Sequence, residues 1–235
     1  MYIVQKDKLF SHVSSPVTSF DAERDARQYF NSGYINQPLV DWCRDVFGSK
    51  DKKFIDIGAG VGHFAVGLSS SFQEVHSFEP HIGRFAALAC NASLSGHSHR
   101  LHHVGLSDHN SKFHFYVRSE DGSMDGFTHL GHDLDHSTPC TWLQTEKLDD
   151  YDLTDVGFIK LSVAGHEISV LQGAQHTLAN SSYPPILVYS WGPEREQYRI
   201  PALTYRSELF DYLQGQGYKV VPIRGYGEWF IAERA

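Results

Sequence analysis

Along the chain, short apolar runs bounded by glycine and proline alternate with segments whose apolar residues recur at helical spacing. Residues 20–48 read as helical. Asp21 suits an N-cap, QPLVDWCRDVF (37–47) sets Leu39, Val40, Cys43 and Val46/Phe47 on one face, and Gly48 stops the run. A buried strand is expected at Phe54–Ile57, then glycines, then a helix over His63–Ser71. The pattern repeats. EVHSFEP (74–80) is strand two, and a helix over 81–96 carries Phe85, Leu88, Ala89 and Ala92 and ends at Gly96. RLHHVGLS (100–107) is strand three, KFHFYVR (112–118) a further strand, and DVGFIKLSV (155–163) strand four. A helix over 166–181, strand five at 184–191 and a helix over 207–218 follow. YKVVPIR and EWFIAER then pair as a hairpin.

Strands alternating with helices predict an α/β fold with a doubly wound, mostly parallel sheet and helices on both faces. Residues 1–50 are expected to form an N-terminal helical segment that packs on the core and caps the site. Residues 51–235 form the main domain. Within it, SEDGSMDGFTHLGHDLDHSTPC (119–140) breaks the rhythm with glycine, aspartate and histidine, and reads as a lid-like excursion. Its His129, His132, Asp133, Asp135 and His136 are types that suit zinc or manganese. With no regular element to preorganise them, a solvated loop is the better description, and no metal site is expected.

The strongest chemical signal is Asp56-Ile57-Gly58-Ala59-Gly60-Val61-Gly62 at a strand-to-helix turn. Gly58 and Gly60 let the backbone turn tightly and approach a ligand. Glu79 ends strand two, 21 residues beyond Gly58, where a carboxylate accepts ribose hydroxyls. A dinucleotide fingerprint would carry its third glycine at position 63, which is His63. Asp56, ahead of the glycines, stands where S-adenosylmethionine-dependent methyltransferases carry an acid that binds the cofactor's ammonium directly or through water. The turn therefore favours S-adenosyl-L-methionine over NAD.

The resemblance then becomes specific. FIDIGAGVGHF, VHSFEPHIGRFAALACNASLSG, VGLSD and TEKLDDYDLTDVGFIKLSVAGHEISVLQGAQHTL resemble the FkbM family of methyltransferases over roughly residues 50–190. That resemblance implies a class I methyltransferase (Rossmann-like) fold, a seven-stranded sheet with a terminal antiparallel hairpin. It also implies S-adenosylmethionine as cofactor and O-methylation of a hydroxyl, often on a sugar or natural product. Asp56, Gly58, Gly60, Glu79 and Ser162 are then expected at the cofactor, with its adenine against Leu106, Ser107 and Asp108.

The departures carry information too. Where the family reads I-K-I-D-V-E-G, this chain has Ile159-Lys160-Leu161-Ser162-Val163-Ala164-Gly165, and strand five ends in Tyr189-Ser190-Trp191 rather than an acid. A hard divalent cation needs several oxygen ligands, so a metal at these strand ends is disfavoured. The base is then expected from a side chain titrating near neutrality. His166 comes first, Lys160 second with an ion pair to Asp56 or Glu79 as its competing role, and His63 third. Trp191, Glu194 and Arg195 are expected to bind the acceptor, the ring by stacking and the charges through hydroxyls.

Composition narrows the partners. The 235 residues are 41% hydrophobic and 20% charged, which is globular, with a net charge of −8. No basic stripe suits nucleic acid. No apolar run reaches the ~18 residues of a membrane span. Cys43, Cys90 and Cys140 are too scattered for a disulfide framework, and the start MYIVQKDKLFSHVSS lacks an apolar leader core, so a cytoplasmic setting is expected. Two other functions compete: a cofactor-binding scaffold that has lost catalysis with its acids, and an NAD oxidoreductase.

Overall fold

The structure, a computed structural model, describes residues 37–116, 127–128, 140–163, 165–190, 206–226 and 228–234. In chain order the elements begin with α1 (Gln37–Phe47), β1 (Ser49–Ile57), α2 (His63–Ser69), β2 (Phe72–Phe78), α3 (Ile82–Ser95) and β3 (His99–His102). Next come β4 (Gly105–Leu106), β5 (Ser111–Tyr116), β6 (Phe127–Thr128), β7 (Cys140–Glu146), a 3-10 turn at Leu148–Tyr151 and β8 (Val156–Leu161). The chain continues with α4 (Glu167–Gln172), α5 (Gln175–Asn180), β9 (Ile186–Tyr189), α6 (Arg206–Gly215), β10 (Tyr218–Pro222) and β11 (Trp229–Arg234).

The main sheet has seven strands in the order β10-β11-β9-β8-β1-β2-β3. β3, β2, β1, β8 and β9 run parallel, and β11 returns antiparallel between β9 and β10. This is the expected doubly wound sheet with its terminal hairpin. The period of two along β1 and β8 divides the core. Ile55, Ile57, Ile159 and Leu161 face Val170, Leu171, Leu178, Leu209 and Leu213 of α4, α5 and α6. Phe54 and Phe158 face the other way, onto Leu39, Val40 and Cys43 of α1, Phe64 and Leu68 of α2, and Leu88 of α3. Burial without a charged partner pushes the Cys43 thiol up to about 12, so it packs as a small apolar side chain. α3 begins as expected, with His81 Nδ1 accepting from Arg84 N at 3.2 Å, and closes at Gly96 with φ +73°.

Three expectations are corrected. Strand three is not one run. β3 pairs with β2 only from Val75↔His99 to Phe78↔His102, where β2 ends. The chain then turns, and β4 pairs parallel with β7 in a separate four-stranded sheet of order β4-β7-β5-β6. That second sheet, and β7 in particular, was not expected from the sequence. The helix over 166–181 is two helices. A Cβ on Gly173 would lie 1.9 Å from Ser107 O, and the Gly173 carbonyl accepts from Asp149 N at 3.0 Å. The Asp149 carboxylate then accepts from His176 N at 3.0 Å and Thr177 N at 2.8 Å, starting α5 afresh. β1 also starts earlier than expected, at Ser49, which pairs with Phe72 of β2; an irregularity in register separates that pair from the regular ladder beginning at Lys53↔Glu74.

Residues 1–36 and most of the 119–140 excursion, including its histidines and aspartates, lie outside the described residues. No helix among the described residues is long and apolar enough to cross a membrane.

Candidate active site

The site is built at the C-terminal ends of the parallel strands. β1 runs into the glycine turn, where Gly58, Gly60 and Gly62 have φ of +71°, +59° and +96°, conformations that L side chains avoid. A Cβ on Gly58 would meet Ser162 O at 2.0 Å, so this glycine lets β1 and the end of β8 touch. A Cβ on Gly60 would meet nothing within 4 Å. Open space above a positive-φ glycine is where a ligand can lie against backbone.

The turn is tied to the end of β2. Phe78 O accepts from Gly58 N and Ala59 N, both at 3.0 Å. The Glu79 carboxylate, 4% exposed, accepts from Gly60 N at 2.8 Å and from His81 N at 2.9 Å. A carboxylate has about four acceptor sites, so two remain for a ligand's hydroxyls. Asn91 Nδ2 donates to Val61 O at 2.7 Å and holds the far side of the turn.

Beneath the turn lies a buried ion pair. Lys160 Nζ stands 3.1 Å from Asp56 Oδ1, and the two residues are 5% and 0% exposed. The ammonium donates to Gly58 O at 2.6 Å and Ile57 O at 3.4 Å, while Asp56 Oδ2 accepts from Ala65 N at 3.0 Å. Lys160 thus makes the ion pair with Asp56 that the sequence set against a role as base. Next to it, His63 Nε2 is enclosed without a hydrogen-bond partner, and burial, then the Lys160 charge, pushes its pKa down to about 4.

The facing wall comes from β4 and the turn after β8. Leu106 and Ser107 are buried and Asp108 is exposed. Ser107 Oγ donates to Asp108 Oδ1 at 3.0 Å and lies 3.0 Å from His166 Nε2. One hydroxyl proton serves one acceptor, so with Ser107 Oγ donating to Asp108, the His166 Nε2–H donates to Ser107 Oγ. Burial works to raise the Asp108 carboxyl, but hydrogen bonds from His109 and Ser107 hold it below its ordinary value. Glu167 opens α4, 3% exposed. Its Oε1 accepts from Val163 N and Gly165 N, both at 3.2 Å, and braces the turn. Burial outweighs those bonds and pushes its pKa up to about 7.

The family model for the methyltransferase FkbM domain matches residues 56–220. The chain belongs to the FkbM methyltransferase family. S-adenosylmethionine is the cofactor expected of a member, and the open space above Gly60 beside the Glu79 carboxylate fits such a group. Among solved structures, an FkbM methyltransferase from Methylobacillus flagellatus KT is similar over 91% of this chain and 52% of its own, with 15% identity and a TM-score of 0.55. The chain therefore spans about half the length of that protein. An rRNA methylase from Streptococcus thermophilus shows 11% identity over 83% of this chain and 92% of its own, TM-score 0.49. A precorrin-6y C5,15-methyltransferase from Geobacter metallireducens shows 12% identity over 87% and 92%, TM-score 0.49. The likeness to the Methylobacillus protein is one of fold. No curated protein sequence matches the chain.

Within this FkbM domain the expected residues are distributed unevenly. Gly58, Gly60 and Glu79 gather on the turn, with Asp56 and Lys160 below and Ser162 against Gly58. Ser107, Asp108 and His166 form a second, hydrogen-bonded group. Ala164, Trp191, Glu194 and Arg195 lie outside the described residues. Glu228 was missed. It stands in the turn leading into β11, its carbonyl accepting from Ser190 N at 2.9 Å and its carboxylate accepting from Tyr189 Oη. A carboxylate therefore faces the end of strand five from the hairpin, although Ser190 itself has none. Only its place opposite Ser190 in an assumed hairpin register could have signalled it.

Proposed function

We propose that this protein transfers the methyl group of S-adenosylmethionine to a hydroxyl of a sugar or glycan acceptor, without a metal held at the ends of β8 and β9. The observation that carries this is the glycine turn, with open space above Gly60 and a buried carboxylate, Glu79, beside it. The FkbM family supplies the reaction class. When bound, the cofactor supplies an electrophilic methyl on a sulfonium. Glu79 would hold ribose hydroxyls through its remaining lone pairs, and Leu106, Ser107 and Asp108 would line the adenine. Ser162 would border the cofactor from the end of β8.

The acceptor oxygen must lie in line with the methyl–sulfur bond and lose its proton. His166 is the proposed base, its ring held by Ser107 through Nε2. Trp191, Glu194 and Arg195 are proposed to hold the acceptor. Ser162 and Ser190 at the two strand ends support the metal-free part of the proposal, since neither brings a carboxylate.

The test is methyl transfer to a panel of sugars with and without chelator, for the wild type and His166→Ala. Transfer should survive the chelator, and His166→Ala should lower turnover by about 10²–10⁴-fold, the range for a lost general base. Activity that collapses with chelator and returns with magnesium or manganese rejects the metal-free mechanism. Should His166→Ala lower affinity for S-adenosylhomocysteine but spare turnover, the histidine positions Ser107 and is not the base. The same missing acids favour a second reading, a cofactor-binding scaffold. It predicts S-adenosylhomocysteine binding with no transfer to any acceptor.

A further inference from the structure

The Asp56–Lys160 pair is chemically expensive, and burying it demands an account. Taking two charges out of water costs several kcal/mol per ion, offset only by good mutual geometry and further hydrogen bonds. Here the further bonds all go to one place. Lys160 Nζ donates to Ile57 O and Gly58 O, and Asp56 Oδ2 accepts from Ala65 N in the first turns of α2.

Peptide planarity gives those bonds a consequence. The Ile57 carbonyl shares a plane with Gly58 N–H, and the Gly58 carbonyl shares a plane with Ala59 N–H. Lys160 draws the Gly58 carbonyl at 2.6 Å, and helps Ser162 N (3.1 Å) hold the Ile57 carbonyl, to one side, while Phe78 O accepts the two amides, each at 3.0 Å, on the other. Two successive peptide planes at the entry of the glycine turn are thereby clamped between a donor on β8 and an acceptor on β2. The next amide, Gly60 N, reaches Glu79 at 2.8 Å, so the clamp also sets where that carboxylate meets the turn.

We propose that Asp56 and Lys160 are positioning residues that preset the glycine turn for the cofactor, rather than groups that touch it or move a proton. Asp56 pairs with Lys160 and aims it, and Lys160 holds the planes. This rests on the reading that the turn binds S-adenosylmethionine, and the experiment separates the two. S-adenosylhomocysteine is titrated by calorimetry into the wild type, Lys160→Met, Asp56→Asn and the double variant, with a thermal melt of each.

Lys160→Met should weaken binding at least about tenfold, the worth of one charge-assisted hydrogen bond, at temperatures where it is fully folded. The double variant should melt higher than Lys160→Met, because no lone buried charge remains, yet bind no better, because the Gly58 carbonyl is still unheld. That split between melting and affinity is what a merely structural pair would not produce. If Lys160→Met does not fold, the double variant carries the comparison with wild type. A folded variant lacking Lys160 that binds within twofold of wild type overturns the proposal, as does recovery of affinity in step with melting temperature. A wild type that does not bind at all overturns the cofactor reading itself.

Discussion

Gly58 and Gly60 differ by two positions, and the structure gives alanine at each a different cost. At Gly60, φ is +59° and a Cβ meets nothing within 4 Å, so the penalty is conformational alone. A left-handed backbone costs an L residue about 1–2 kcal/mol. At Gly58, φ is +71° and the Cβ falls 2.0 Å from Ser162 O, with Ser162 C at 3.0 Å. The obstruction is backbone at the end of a central strand and cannot rotate aside. Overpacking of that kind adds about 1–3 kcal/mol, for about 2–5 kcal/mol in all. Urea unfolding of both variants, compared through midpoint and slope, measures the difference. Gly58→Ala should be clearly the less stable. Calorimetry with S-adenosylhomocysteine reads the other half of the argument. Filling the space with Gly60→Val should abolish binding while far-UV circular dichroism stays native. Equal stability losses at the two glycines would refute the close approach of the turn to β8, and normal binding by a folded Gly60→Val protein would refute the open space as the cofactor's seat.

Two further outcomes are expected. Glu79→Ala should weaken S-adenosylhomocysteine binding by about 1.5–3 kcal/mol, the worth of hydrogen bonds to a charged group, and unchanged affinity in calorimetry would remove Glu79 from the site. Acid should destabilise the fold early: His63, His81, His99 and His102 are each held at about 4, chiefly by burial, so below their ordinary value near 6.5 the unfolded chain binds protons that the folded one refuses. Stability is then lost as pH falls from about 6.5 toward 4, while Glu167, raised to about 7, contributes in the opposite sense and loses stability as pH rises through its folded value. Melting temperature should fall between pH 7 and 5, and a flat or rising profile would refute the burial of these imidazoles.

What the sequence made legible was local. The glycine turn announces itself because its cause, positive φ at Gly58 and Gly60 between a strand and a helix, is written in consecutive residues. α3 was legible for the same reason, with His81 and Gly96 marking its ends within the segment they close. Features set by distant partners were not. Gly173 reads as one tolerable glycine inside a helix until Ser107 O is found against it. The start of α5 is supplied by Asp149, far back in the chain. β7 makes sense only as the partner of both β4 and β5. Glu228 meets Tyr189 and Ser190 through the register Trp229↔Tyr189, which no spacing in the sequence displays.

The Asp56–Lys160 pair lies between these cases. Each residue stands two positions after a phenylalanine, Phe54 or Phe158, and in a strand that spacing puts both members of each pair on one face. The register then aligns Phe54 with Phe158 and Asp56 with Lys160 at once. A slip of one residue would turn Lys160 toward the aliphatic face occupied by Ile57 and Leu161 and leave Asp56 facing apolar neighbours. An uncompensated buried charge costs about 3–5 kcal/mol, comparable to a large part of a domain's whole stability. The two charges that clamp the glycine turn therefore also specify how β1 and β8 align. The end of β8 meets Gly58 at the required place because of that alignment. A sequence shows the two charged residues plainly, but their work appears only when the pairing that brings them together is known.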